Sequence, residues 1–287
     1  MNMNKKIITL MFLIVFCNKA ISQNNKSDLG FVNIGFGSIA GGIGAIINKK
    51  PEEKTGKVFV KGLWQGALGG ALVHSSKLML GLNVEKESYD YFWPSKITNA
   101  IGSSIIENAS SNKDFYDQFN LHIGFNRIEL YPKKNFHISY KIMPAYFVLQ
   151  MYVATNSKFE LDKTIKTGEF IFSNKNVNLD YQAYTLGNTL VLNSNFSTEI
   201  VTISHELTHV YQSYNFMFFN NFLKPVEDKF FKSNTFYQKS KKYIYYDFHQ
   251  GLFYGLYALE NKKGVDYYDN YFEREAALYS NSLFKLK

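Results

Sequence analysis

Residues 197–214, STEIVTISHELTHVYQSY, decide how the rest of the chain is read. Ile200, Ile203, Leu207, Val210 and Tyr214 recur at helical spacing, so the segment is a helix with one face toward a core. Ser197 or Thr198 can cap its start, and Glu199 suits the first turn, where the helix dipole favours negative charge. His205 and His209 stand four apart on one helical face, so their imidazoles can converge on a single metal ion. Glu206 is rotated by one residue toward the open side of such a metal, where it can take a proton from a metal-bound water. Gln212 continues the histidine stripe, which can line a cleft. With six His and fourteen Glu in 287 residues, composition alone yields about 0.006 copies of this pattern. A core helix with inert histidines is the alternative, and it gives no reason for a glutamate between them.

The first 22 residues read as a secretory signal peptide, with Lys5 and Lys6 as the basic end, an apolar stretch over 7–16, and Ala20-Ile21-Ser22 before the cleavage point. The mature chain is expected to begin at Gln23 and to be exported to the periplasm, cell envelope or extracellular space. The apolar stretch is too short to span a bilayer. Cys17, the single cysteine, lies in this segment behind the bulky Phe16, where a lipoprotein site carries a small residue. The mature chain therefore needs no disulfide and offers a metal no thiolate. The formal charge is +8, and loss of Lys5, Lys6 and Lys19 leaves +5, spread out rather than gathered in a stripe. That distribution argues against a nucleic-acid partner and suits a loose attraction to anionic membranes or glycans. Abundant Tyr, Phe, Asn and Lys suggest an AT-rich bacterial genome.

Three parts are expected: the signal peptide over 1–22, a Gly-rich helical portion over 23–110, and a catalytic domain over 111–287. Residues 30–47 and 62–82 are Gly-rich and apolar, joined by a polar connector with Pro51 and Gly56. Gly62, Gly66 and Gly70 recur every four residues, as do Gly37 and Gly41, and a glycine face lets another helix approach closely. Such a hairpin either inserts in a membrane, giving membrane association through residues 30–82, or packs tightly within a soluble domain. His74, Ser75, Ser76 and Lys77 interrupt its second segment. A helix over 95–109 follows Trp93-Pro94. Strands are expected over 121–125, 127–131, 136–142, 146–153 and 168–172, with residues 132–135 as a hairpin connection. Residues 184–193 (YTLGNTLVLN) form one more strand before the metal-site helix. Residues 243–259 read as a buried helix carrying His249 and several Tyr, one of which can donate to an oxyanion. His74, His122 and His137 read as structural. The fold class is α+β: a mainly antiparallel sheet packed on the metal-site helix and C-terminal helices, after the Gly-rich helical portion.

A catalytic zinc has three protein ligands and an open position. Residues 271–279 (YFEREAALY) form a helix with two candidates, Glu273 and Glu275, about 200° apart, so only one can face the metal. Periodicity favours Glu275, which lies nearer the apolar stripe of Phe272, Ala276, Tyr279 and Leu283. HELTHVYQ (205–212) and FEREA (272–276) resemble the HExxH zinc metallopeptidases that use glutamate as third ligand, the gluzincins, over about residues 184–280. The resemblance implies His205, His209 and Glu273 as zinc ligands, Glu206 as general base, and a protein or peptide substrate that pairs in extended form with a strand beside the helix. That group usually carries Asp or Asn four residues after the third ligand, whereas this chain has Ala277. The expected function is zinc-dependent hydrolysis of peptide bonds by an exported protein. The alternatives are a secreted binding or structural module with a non-catalytic zinc site, and an envelope protein acting through its membrane-inserted hairpin.

Overall fold

Three N-terminal helices form one layer: α1 (Lys26–Ile47), α2 (Thr55–Lys86) and α3 (Phe92–Ser110). The computed structural model describes residues 25–133, 135–174, 182–193, 199–261 and 267–282. The expected signal peptide, the candidate caps Ser197 and Thr198, Lys134 of the hairpin connection and Leu283 lie outside these residues. Glycine is what lets α1 and α2 approach. A Cβ added at Gly66 would lie 2.0 Å from the Gly37 carbonyl oxygen, and one at Gly70 would lie 2.3 Å from that of Asn33. No side chain fits there, so the two backbones touch. Among the described residues α1 alone is long and apolar enough to cross a membrane, and half of its apolar window is packed inside the protein.

The chain is α+β, and the strands among the described residues lie in two sheets rather than the single one expected. The first sheet is antiparallel, in order β1 (Phe119–Ile123), β2 (Asn126–Tyr131), β3 (His137–Ile142). The second is mixed. Its order is β4 (Lys158–Phe159), β5 (Phe170–Asn174), β7 (Thr189–Asn193), β6 (Ala183–Leu186), with β5 and β7 parallel. Between the strands lie helices α4 (Pro144–Asn156) and α5 (Leu161–Thr167). The C-terminal part is helical: α6 (Glu199–Asn215), α7 (Phe219–Phe231), α8 (Thr235–Ser240), α9 (His249–Glu260) and α10 (Tyr271–Tyr279).

Three local expectations are corrected. Residues 146–153, expected as a strand for their aromatic and β-branched content, belong to helix α4. Pro144 opens that helix, and the Asp247 carboxylate accepts from the N–H groups of Ala145 (3.2 Å) and Tyr146 (3.1 Å), capping it from a distant segment. The expected strand over 184–193 is the hairpin β6–β7, turned at Gly187 with φ of 67°. The helix expected over 243–259 starts only at His249, because Tyr243 lies in a turn and Ile244 bridges Ile142 beside β3.

Helix α6 runs through the middle. Ile203, Leu207, Val210 and Tyr214 form the expected apolar face and meet Leu80, Phe92, Met143, Tyr146, Ile171, Leu190 and Leu192. Every residue from Val201 to Asn215 is buried. Gly66→Ala is expected to destabilise the protein by about 1–3 kcal/mol, because the new methyl must displace backbone. Gly35→Ala, in the same layer with nothing within 4 Å of the added Cβ, should stabilise by about 0.5–1 kcal/mol. Urea midpoints check the pair, and equal shifts of one sign would contradict the packing described.

Candidate metal centre

Three side chains converge where α6 meets α10. His205 Nε2 and His209 Nε2 are 3.2 Å apart. Glu273 Oε2 lies 3.2 Å from the first and 3.4 Å from the second. The one-turn spacing on α6 places both imidazoles on one face, where their rings meet edge-to-face with centroids 4.9 Å apart. Asn270 caps α10 by accepting from the Phe272 N–H at 2.8 Å, which fixes Glu273 in the first turn. Ala276 and Ala277 are fully buried, and their small size lets α10 sit close to α6. All three converging residues are buried, and the group can hold a metal ion. Glu275, which periodicity favoured, turns the other way to pair with Lys77 at 2.8 Å.

The outer atoms of the three groups are also held. His209 Nδ1 is 2.9 Å from Gln212 Oε1, and His205 Nδ1 is 3.3 Å from Ser282 Oγ. Tyr257 donates its phenol proton to Glu273 Oε1 at 2.5 Å. Burial works against ionisation of Glu273, yet His209 and His205 beside it hold its carboxyl far below the usual carboxylate range. Burial likewise disfavours the His209 imidazolium, but the Glu273 carboxylate raises its pKa to about 9. A metal binding here displaces that proton. Burial and then the Glu273 carboxylate push the Tyr257 and Tyr267 phenols up, so both remain donors at neutral pH.

Glu206, His209 and Glu273 face a cleft of about 160 Å³, whose far side is aromatic, with Phe253, Tyr254, Tyr257 and Tyr267. Its other wall is β6 and the following turn, through Ala183, Tyr184, Thr185 and Gly187. Thr185 Oγ1 lies 2.7 Å from Glu206 Oε2 and 3.1 Å from the Glu206 carbonyl oxygen, tying the strand to the helix. Thr185 and Ser282 went unnoticed in the sequence, since their separation from the motif gives no local signal, and Tyr257 was one of several tyrosines of residues 243–259 without being singled out. Gln212 was visible as the next residue of the histidine stripe. His74, His122 and His137 take no part in this group. His122 packs against Arg127 Nη1 at 3.0 Å. The chain matches no protein-family model, no curated protein and no solved structure.

Glu273→Gln is expected to lose stoichiometric metal and Glu275→Gln to keep it, measured by equilibrium dialysis with elemental analysis. Equal loss in both, or loss in the Glu275 variant alone, would show that α10 presents a different face to the histidines.

Proposed function

We propose that this protein is a zinc-dependent hydrolase of peptide bonds, with His205, His209 and Glu273 holding the ion and Glu206 as general base. The observation that carries the reading is the near-equilateral donor triangle, with sides of 3.2, 3.2 and 3.4 Å, beside a carboxylate that faces a cleft. A tetrahedral ion with bonds of about 2.0–2.1 Å sets its donors about 3.3–3.4 Å apart. Two imidazoles and one carboxylate are a zinc donor set, whereas calcium and magnesium take oxygen. The resemblance of HELTHVYQ and FEREA to the gluzincins supports the same assignment. The basic and apolar character of residues 1–22 supports export.

A zinc ion in this site supplies Lewis acidity to a water and to the scissile carbonyl. Glu206 accepts the water proton and returns it to the leaving amine. Thr185, hydrogen-bonded to Glu206, holds that carboxylate on the cleft side. Strand β6 is the edge of its sheet. Asn193 N–H bonds to the Gln182 carbonyl at 2.9 Å, so by antiparallel alternation the backbone groups of Ala183 and Thr185 point away from β7. They offer an extended peptide a row of donors and acceptors along the cleft, which favours a protein or peptide substrate. The Tyr257 and Tyr267 phenols line the same cleft, and Tyr257 holds the Glu273 carboxylate in place by donating to its outer oxygen.

Glu206→Gln tests the reading. The amide keeps the shape but cannot accept the proton, so zinc content should stay at wild-type level while hydrolysis of an unfolded protein substrate falls by about 10²–10⁴-fold. Undiminished turnover in this variant, or no turnover by the zinc-loaded wild type, would overturn the proposal.

A further inference from the structure

The N-terminal helices reach the metal centre through one buried chain of hydrogen bonds. Gln212 Nε2 donates to Glu275 Oε2 at 2.8 Å and to the Phe272 carbonyl at 2.9 Å. Both partners are acceptors only, so the amide orientation is fixed and Gln212 Oε1 must face His209. An oxygen there requires a proton on His209 Nδ1, at 2.9 Å. Nε2, the atom beside His205 and Glu273, is then the one free to bind a metal. The far end of the chain keeps Glu275 an acceptor. Its Oε1 receives Lys77 Nζ from α2 at 2.8 Å and Asn33 Nδ2 from α1 at 3.0 Å. Lys77 Nζ also donates to Asn33 Oδ1 at 3.0 Å. Burial works against ionisation of Glu275, but the Lys77 ammonium and these donors hold its carboxyl below the usual range. Lys77 and Glu275 are each 1% exposed, so no solvent can replace either partner.

From this geometry we infer that Lys77, Glu275 and Gln212 are positioning residues of the metal centre, which fix the tautomer and ring orientation of His209. The inference rests on the proposed metal site and adds to it an N-terminal helical layer that tunes metal affinity. Without Lys77, the buried Glu275 carboxylate has no cation beside it and is no longer held against Gln212. The Gln212 amide is then free to turn over, and His209 loses its defined tautomer. This hydrogen-bond chain serves in place of the acidic or amide residue that the resembled group carries at the position of Ala277, and it contacts the second imidazole through Gln212.

The test is zinc affinity, measured by competition with a chromophoric chelator on folded protein. Lys77→Met should weaken zinc binding by about 10- to 100-fold. Lys77→Met combined with Glu275→Gln should recover most of that loss, because the neutral amide needs no buried cation and its oxygen can stay in place to accept from Gln212. Gln212→Met leaves the Lys77–Glu275 pair intact and should weaken zinc binding as Lys77→Met does. It also carries the test if Lys77→Met fails to fold. The control is Lys96→Met, which breaks an equally buried pair with Glu169 (2.5 Å) that does not reach His209. It should lower stability and leave zinc affinity unchanged. Unchanged affinity in Gln212→Met, or equal loss in Lys96→Met and Lys77→Met, would overturn the inference while leaving the zinc site standing. A wild-type protein that binds no zinc overturns both.

Discussion

Helix α6 is buried from Val201 to Asn215, yet it carries His205, Glu206, His209 and Gln212. A buried polar group left without a partner costs about 1–3 kcal/mol, and a charged one more. Partners for all four must therefore come from elsewhere in the fold, and the arrangement around α6 meets that need. Helix α10 supplies Glu273 to the histidines and Glu275 to Gln212. Strand β6 supplies Thr185 to Glu206. Glu275, itself buried, then needs a cation, which α2 supplies as Lys77. Each element sits where it completes the pairing begun on α6, while the apolar face of α6 holds the common core.

The motif and its helix were legible because their signals are local. Two histidines at i and i+4 share a face in any helix, and the stripe of Ile203, Leu207, Val210 and Tyr214 fixes which face is inward. The glycine periods on α1 and α2 were readable for the same reason. What could not be read depends on distant partners. Residues 146–153 are helical because Pro144 and the remote Asp247 start a helix that their own side chains do not favour. The Gly187-Asn188 turn splits 184–193 into two strands, and that dipeptide was the available signal. Periodicity pointed to Glu275, whereas Glu273 is the carboxylate that meets the two histidines, because α10 is buried on two sides. Glu275 does lie near the apolar stripe, but it is buried by an ion pair whose other half is 198 residues away.

The polar run His74-Ser75-Ser76-Lys77 breaks an otherwise apolar segment, and the fold turns much of it inward. Lys77 and Ser76 are buried, and His74 Nδ1 is 2.6 Å from the Tyr279 hydroxyl of α10. Glycine serves the same end. A Cβ at Gly81 would meet the Tyr279 carbonyl at 2.6 Å, so α2 comes against the end of α10 only without one. The close approach of Gly70 to Asn33 likewise brings α1 within reach of Lys77 and Glu275. The helical layer and the helices that carry the candidate metal ligands thus share one polar core.

The measurement that bears most directly on the proposed centre is X-ray absorption on the protein loaded with one equivalent of zinc. A site of two imidazoles, one carboxylate and a water predicts a four-atom first shell of nitrogen and oxygen at about 2.0–2.1 Å. It also predicts the outer-shell scattering of two histidines, which disappears together with the bound zinc when His205 and His209 are replaced by alanine. A six-oxygen shell, a shell without imidazole, or a spectrum unchanged in that double variant would contradict the account.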